Sequence, residues 1–144
     1  MTALQLAKLS GFSTIITTAS PKHTALLKSL GATHVIDRSL SPASIISETQ
    51  AIVQGPVRIV YDAISDPETQ NLAYDIVAPG GLLVVVNPIA ITGQTADKEI
   101  IFAFGTVHLP GKHREFGVEL FQRLTKWFEE GTLKVCTTKT WNCC

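Results

Sequence analysis

The sequence predicts an α/β domain built on a parallel sheet. Helical and strand signals alternate from end to end, the strand signals are short β-branched or apolar runs, and glycine or proline falls at the joints between them. No repeat, low-complexity stretch or linker interrupts the series. At 144 residues the chain can bury one core, so a single domain is expected.

The first helix is expected over Thr2–Leu9, with Thr2 and Gln5 spaced as a capping box and Gly11 as its stop. Ser13–Thr18 (STIITT) is β-branched and reads as a buried strand. Pro21–Leu30 suits a helix with proline in its first turn and Gly31 beyond its end. His34–Asp37 is a brief strand. Ser41 and Pro42 open a helix to Gln50 despite poor propensity in its Ser and Ile content. Arg58–Ile64 is a strand, and Asp66 with Pro67 starts a helix to about Val77 that Pro79, Gly80 and Gly81 break. Leu82–Val86 (LLVVV) is the most apolar run and marks a central or fully buried strand. Ile100–Val107 is a further strand, interrupted at Gly105. The last helix is expected over His113–Glu130, where Phe116, Leu120, Phe121, Leu124, Trp127 and Phe128 share one face and form a packing surface.

Charge narrows the function classes. Lys plus Arg and Asp plus Glu each number 12, and no basic run could neutralise a row of phosphates, which excludes nucleic acid and membrane surfaces as expected partners. No secretory leader or apolar stretch long enough to span a bilayer is read, so a cytoplasmic protein is expected. Cys136, Cys143 and Cys144 have neither disulfide nor zinc spacing and are read as free thiols on a tail. His23, His34, His108 and His113 make no metal-ligand pair, and no nucleophile elbow is present. Asp37 and Asp62 have no identifiable partner in sequence. Catalytic residues and a metal site are therefore not assigned.

The stretch Leu4–Ser39 (LQLAKLSGFSTIITTASPKHTALLKSLGATHVIDRS), YDAIS at Tyr61–Ser65, Gly80–Pro88 and His113–Lys134 resemble, in order and spacing, the cofactor domain of the medium-chain dehydrogenase/reductase superfamily. The resemblance is strongest to its zinc-independent quinone oxidoreductase and fungal trans-acting enoyl reductase branch. It implies a Rossmann-like, doubly wound parallel sheet over 1–134, followed by a divergent tail at 135–144. It also implies a domain lacking the family's first strand and glycine-rich loop, the loop whose amides normally meet a cofactor pyrophosphate. NADP(H) binding is then expected to be weakened or lost, and the family's catalytic domain has no counterpart.

Within that resemblance, the end of the second family strand commonly carries an acidic residue in NAD-specific members. Here Thr18, Ala19 and Ser20 stand there, with Lys22 and Arg38 nearby, a set suited to a 2′-phosphate. The alternative for Ser20 is a helix cap, and for Lys22 and Arg38 a solvated surface. Ala63, Ile64 and Asn87 fall at C-terminal strand ends and are candidates for the nicotinamide side, with core and turn roles as the alternatives.

A missing central strand would leave two interior edges unpaired. Either Ser13–Thr18 pairs directly with Arg58–Ala63, or a second copy lends a strand in a homodimer. The functional expectation is the cofactor-binding part of an NADP(H)-dependent quinone or enoyl reductase, unable to transfer hydride alone. The alternatives are a dimerising or partner-binding module without catalysis, and a cofactor-free enzyme of secondary metabolism.

Overall fold

The computed structural model describes residues 2–107 and 109–134. The 135–144 tail with its three cysteines, and His108, lie outside the described residues. The chain divides into two compact units, the described residues of Met1–Val35 with Thr106–Cys144, and Ile36–Gly105. The fold is α/β, as the alternation of signals predicts, and Rossmann-like, as the resemblance implies.

In the Ile36–Gly105 unit, β3 (Ile59–Asp62), β4 (Leu82–Val85) and β5 (Glu99–Phe102) form a parallel sheet in that order. β4 is central, and its Leu83 and Val85 are fully buried, which accounts for the LLVVV run. Against the sheet lies α4 (Pro67–Ile76), whose Ala73 and Tyr74 join Val77, Leu83, Val85 and Ile91 in the core. Each large apolar side chain so buried contributes about 1.5–3 kcal/mol. Asp66 caps α4 by accepting the Thr69 amide at 2.8 Å, and Ser41 caps α3 (Pro42–Val53) by accepting that of Ser44 at 3.2 Å. α3 packs beside α4 and runs past the expected Gln50, ending where Gln54 turns left-handed.

The other unit holds α1 (Thr2–Leu9), β1 (Ile16–Ala19), α2 (Thr24–Ser29) and α5 (Lys112–Glu129). Between β1 and α2 the backbone makes a 3-10 turn, Pro21–His23, so the expected Pro21–Leu30 helix begins in that tighter form. Ile15, Leu27, Leu30, Ala32 and Leu133 are buried in this unit. Gly31, at φ 120°, ends α2: its amide reaches Lys28 C=O and that of Ala32 reaches Leu27 C=O. A Cβ at Gly31 would stand 3.0 Å from Leu4 C=O and 3.1 Å from Lys8 Cβ, so α1 and the end of α2 meet only because this residue has no side chain.

Several expectations need correction. Thr2 is already helical, and Gln5 does not complete a capping box: it is buried, donating to Lys134 C=O at 3.2 Å and accepting Lys134 N–H at 2.7 Å. The strands expected at Ser13–Thr18 and Ile100–Val107 occur as Ile16–Ala19 and Glu99–Phe102. β1 pairs with β2 (His34–Asp37) in a two-stranded sheet. The α5 stripe is not a covered packing surface, since Phe116, Phe121 and Phe128 are exposed and Leu120, Leu124 and Trp127 only half-buried. Periodicity gathers apolar side chains on one face without supplying a partner for it.

Candidate functional site

The C-terminal ends of β3 and β4 are built unlike a plain ladder. The Ile59↔Leu82 register sends Leu82 N–H to Arg58 C=O at 2.8 Å. Two steps of that pattern further on, Val86 N–H would meet Asp62 C=O. Instead the Ser65 hydroxyl stands between them, accepting Val86 N–H at 2.9 Å and donating to Asp62 C=O at 2.7 Å. The strand ends are therefore linked through a side chain and held apart by it.

Ser65 reaches this position in a left-handed conformation, φ 56°, uncommon for a residue with a side chain. Asp62 holds it there. Its Oδ1 accepts the amides of Ile64 at 3.0 Å and Ser65 at 2.9 Å, and its Oδ2 accepts the Thr69 hydroxyl at 2.7 Å. Asp62, left without a partner by the sequence, is thus a buried turn former.

Gln70 extends the arrangement from α4 and is fully buried. Its Nε2 donates to Ser65 C=O at 2.9 Å and Pro88 C=O at 3.1 Å, while Oε1 accepts Ala90 N–H at 2.8 Å. One amide thereby ties the loop after β3 to the loop after β4. Asn87 makes a second tie, its Nδ2 donating to Ile64 C=O at 3.1 Å and to Ser65 C=O at 3.3 Å. Two carbonyl neighbours fix that amide's orientation, so Oδ1 is the atom turned away from the tie, and no described residue donates to it.

Of the residues singled out from sequence, Ile64 and Asn87 are brought together by this bond, and exposed Ala63 lies between Asp62 and Ile64. Ile64 is 61% exposed, so it is a rim residue and not a core one. Thr18 and Ser20 lie at the end of β1 and Lys22 in the 3-10 turn, all in the Met1–Val35 unit, whereas Arg38 follows β2 in the Ile36–Gly105 unit. The Ser20 side chain makes no cap hydrogen bond, which removes the helix-cap alternative for its hydroxyl. Lys22 is exposed and joins no ion pair among the described residues.

Asp37 also has a local partner. Its Oδ1 accepts the Ser39 amide at 2.9 Å and the Ser39 hydroxyl at 2.8 Å, bonds that hold its carboxyl below the ordinary 3.8, with Arg38 adding a smaller effect. No group of three His, Cys, Asp or Glu among the described residues could hold a metal, and no described helix is long and apolar enough to cross a membrane.

Ser65 and Gln70 are missing from the sequence-based site. Asp62 and Ser65 stand three apart after a strand signal, a spacing that turn chemistry could have flagged. Gln70 offers no such signal, because its loop partners Pro88 and Ala90 lie 18 and 20 positions away.

Comparison with known proteins adds the following. The family model described as "Zinc-binding dehydrogenase" matches residues 1–112. A trans-enoyl reductase of Gibberella fujikuroi is 26% identical over 152 aligned residues, covering 92% of this chain and 42% of its own. Among solved structures, the quinone oxidoreductase of Pseudomonas syringae pv. Tomato DC3000 is 26% identical with a TM-score of 0.72, covering 94% of this chain and 43% of its own. The Escherichia coli quinone oxidoreductase complexed with NADPH shares the fold at 23% identity, with a TM-score of 0.72 over 96% of this chain and 44% of its own. The chain thus spans less than half the length of these relatives.

Proposed function

Because this chain belongs to the zinc-binding dehydrogenase family, within the medium-chain dehydrogenases/reductases, we propose that it is the NADP(H)-binding part of an enoyl- or quinone-reductase-type oxidoreductase and does not transfer hydride on its own. The observation that carries the reading is the segment from Thr18 to Lys22. It offers hydroxyls and a cation and no carboxylate, and the Ser20 hydroxyl is not spent on capping.

A 2′-phosphate at this turn would accept from Thr18 and Ser20 and pair with Lys22. Such charge-assisted bonds favour NADP(H), since a carboxylate at the strand end would instead favour the bare ribose hydroxyl. At the other end of the cofactor, Ala63 and Ile64 would bound the nicotinamide, with Asn87 Oδ1 as an acceptor for its carboxamide. The cofactor itself supplies the hydride chemistry. The family's name notwithstanding, the described residues do not fit zinc, so no step is assigned to a metal.

Calorimetric titration of the full chain with NADPH and NADH tests the reading. Binding of NADPH in preference to NADH is expected, and Lys22→Glu should weaken NADPH about tenfold while leaving NADH unchanged. Absence of heat at millimolar NADPH would overturn it.

A second reading, a dimerising module, draws on the edge of β3 turned away from β4. The register with β4 turns the amides and carbonyls of Ile59 and Tyr61 away from β4, and both side chains are 49% exposed. A strand from a second copy would satisfy them. On either reading no nucleic-acid or membrane partner is proposed, and a cytoplasmic setting is the one assumed.

A further inference from the structure

We propose that Ser65 and Gln70 are positioning residues that hold the ends of β3 and β4 apart, so that Ala63, Ile64 and Asn87 form a receptive wall for the nicotinamide half of the cofactor. The proposal rests on the NADP(H) reading above and assigns a role to two residues that touch no cofactor in it.

The ladder supplies the argument. If Val86 N–H met Asp62 C=O directly, β3 and β4 would continue to pair, and the residues after them would leave the sheet in contact. The interposed Ser65 hydroxyl satisfies both groups while lengthening the link by one oxygen, with bonds of 2.9 and 2.7 Å on its two sides. Open parallel sheets bind ligands outside the C-terminal ends of their strands, where neighbouring connections diverge. Here the divergence is produced by a side chain. Gln70 then fixes the separation, because its three bonds reach Ser65 on one loop and Pro88 and Ala90 on the other. A buried amide with donors and acceptor all engaged has no alternative partner nearby, so the loops are held at one spacing. Asn87 is oriented by the same frame: its Nδ2 is drawn onto Ile64 and Ser65 carbonyls, which leaves Oδ1 for a ligand donor.

The test uses the full chain and two probes, NADP+ and 2′,5′-ADP, which carries the 2′-phosphoadenosine and lacks the nicotinamide. The unmodified chain should bind NADP+ more tightly than 2′,5′-ADP. Ser65→Ala lets the strand ends close, and should weaken NADP+ about tenfold while leaving 2′,5′-ADP unchanged. Retained 2′,5′-ADP affinity shows at once that the variant is folded. Gln70→Glu gives an independent readout. An ionised glutamate cannot donate to Ser65 or Pro88 carbonyls, but a protonated one can donate to one of them. The NADP+ affinity of Gln70→Glu relative to the unmodified chain should therefore recover as pH is lowered, while its 2′,5′-ADP affinity, which reports folding, stays level with that of the unmodified chain at every pH. Equal loss of both probes in Ser65→Ala, or a Gln70→Glu deficit independent of pH, overturns the proposal. So does an unmodified chain that binds the two probes equally, a result that leaves the NADP(H) reading standing. An unmodified chain that binds neither probe defeats that reading and this one together.

Discussion

Asp37 is partly exposed, and its carboxyl is held below the ordinary 3.8 by bonds from the amide and hydroxyl of Ser39. A carboxyl whose folded value is depressed stabilises the fold above its ordinary value, and that contribution disappears as pH falls through the folded one. NMR titration of the Asp37 carboxyl should give a midpoint below 3.8, and Ser39→Ala should move it upward. A midpoint at or above 3.8 in the unmodified chain would contradict the turn geometry. Legibility at this scale follows sequence distance. The Ser41 and Asp66 caps were readable because each acceptor serves an amide three positions on. The Ser65 bond to Val86 spans 21 positions, and only the folded register brings the two together.

Elements were legible where their ends carry their own chemistry. α4 starts at Pro67 because Asp66 accepts the Thr69 amide, and α1 and α2 stop where Gly11 and Gly31 take positive φ. Asp66→Ala should cost about 1 kcal/mol, and Asp66→Asn much less. For a chain of this size that loss lowers the midpoint of thermal unfolding by about 3 °C, measurable by circular dichroism. An unchanged midpoint in Asp66→Ala would show that the cap does not stabilise α4. The reading of α5 shows where pattern gives out. Its apolar period is plain in the sequence, but a period describes one helix alone and cannot say whether anything covers its face. Phe116 and Phe121 remain 61% and 59% exposed.

At the scale of the molecule, the edge of β3 turned away from β4 carries two outward-facing peptide groups and two half-exposed apolar side chains. Strand exchange between copies is the expected outcome, and a chain with no net charge offers little repulsion to oppose it. Sedimentation over a range of concentrations should show a monomer–dimer equilibrium, and Tyr61→Lys should shift it toward monomer. A monomer at every concentration would remove the dimer reading. The sequence revealed α/β alternation and the central place of LLVVV. It could not reveal which of the two closures occurs, because edge pairing depends on the placement of strands far apart in the chain.

Gln5 and Lys134 grip each other across 129 positions of sequence. Their pairing therefore has to wait during synthesis: α1 is made before Lys134, and its buried glutamine has no counterpart until that residue emerges. Ile36–Gly105 has no such delay, since it is one continuous stretch whose core comes from neighbouring segments. Local closure of that kind favours early folding, so amide protection in Ile36–Gly105 is expected to appear before protection in α1 when hydrogen exchange is followed during refolding.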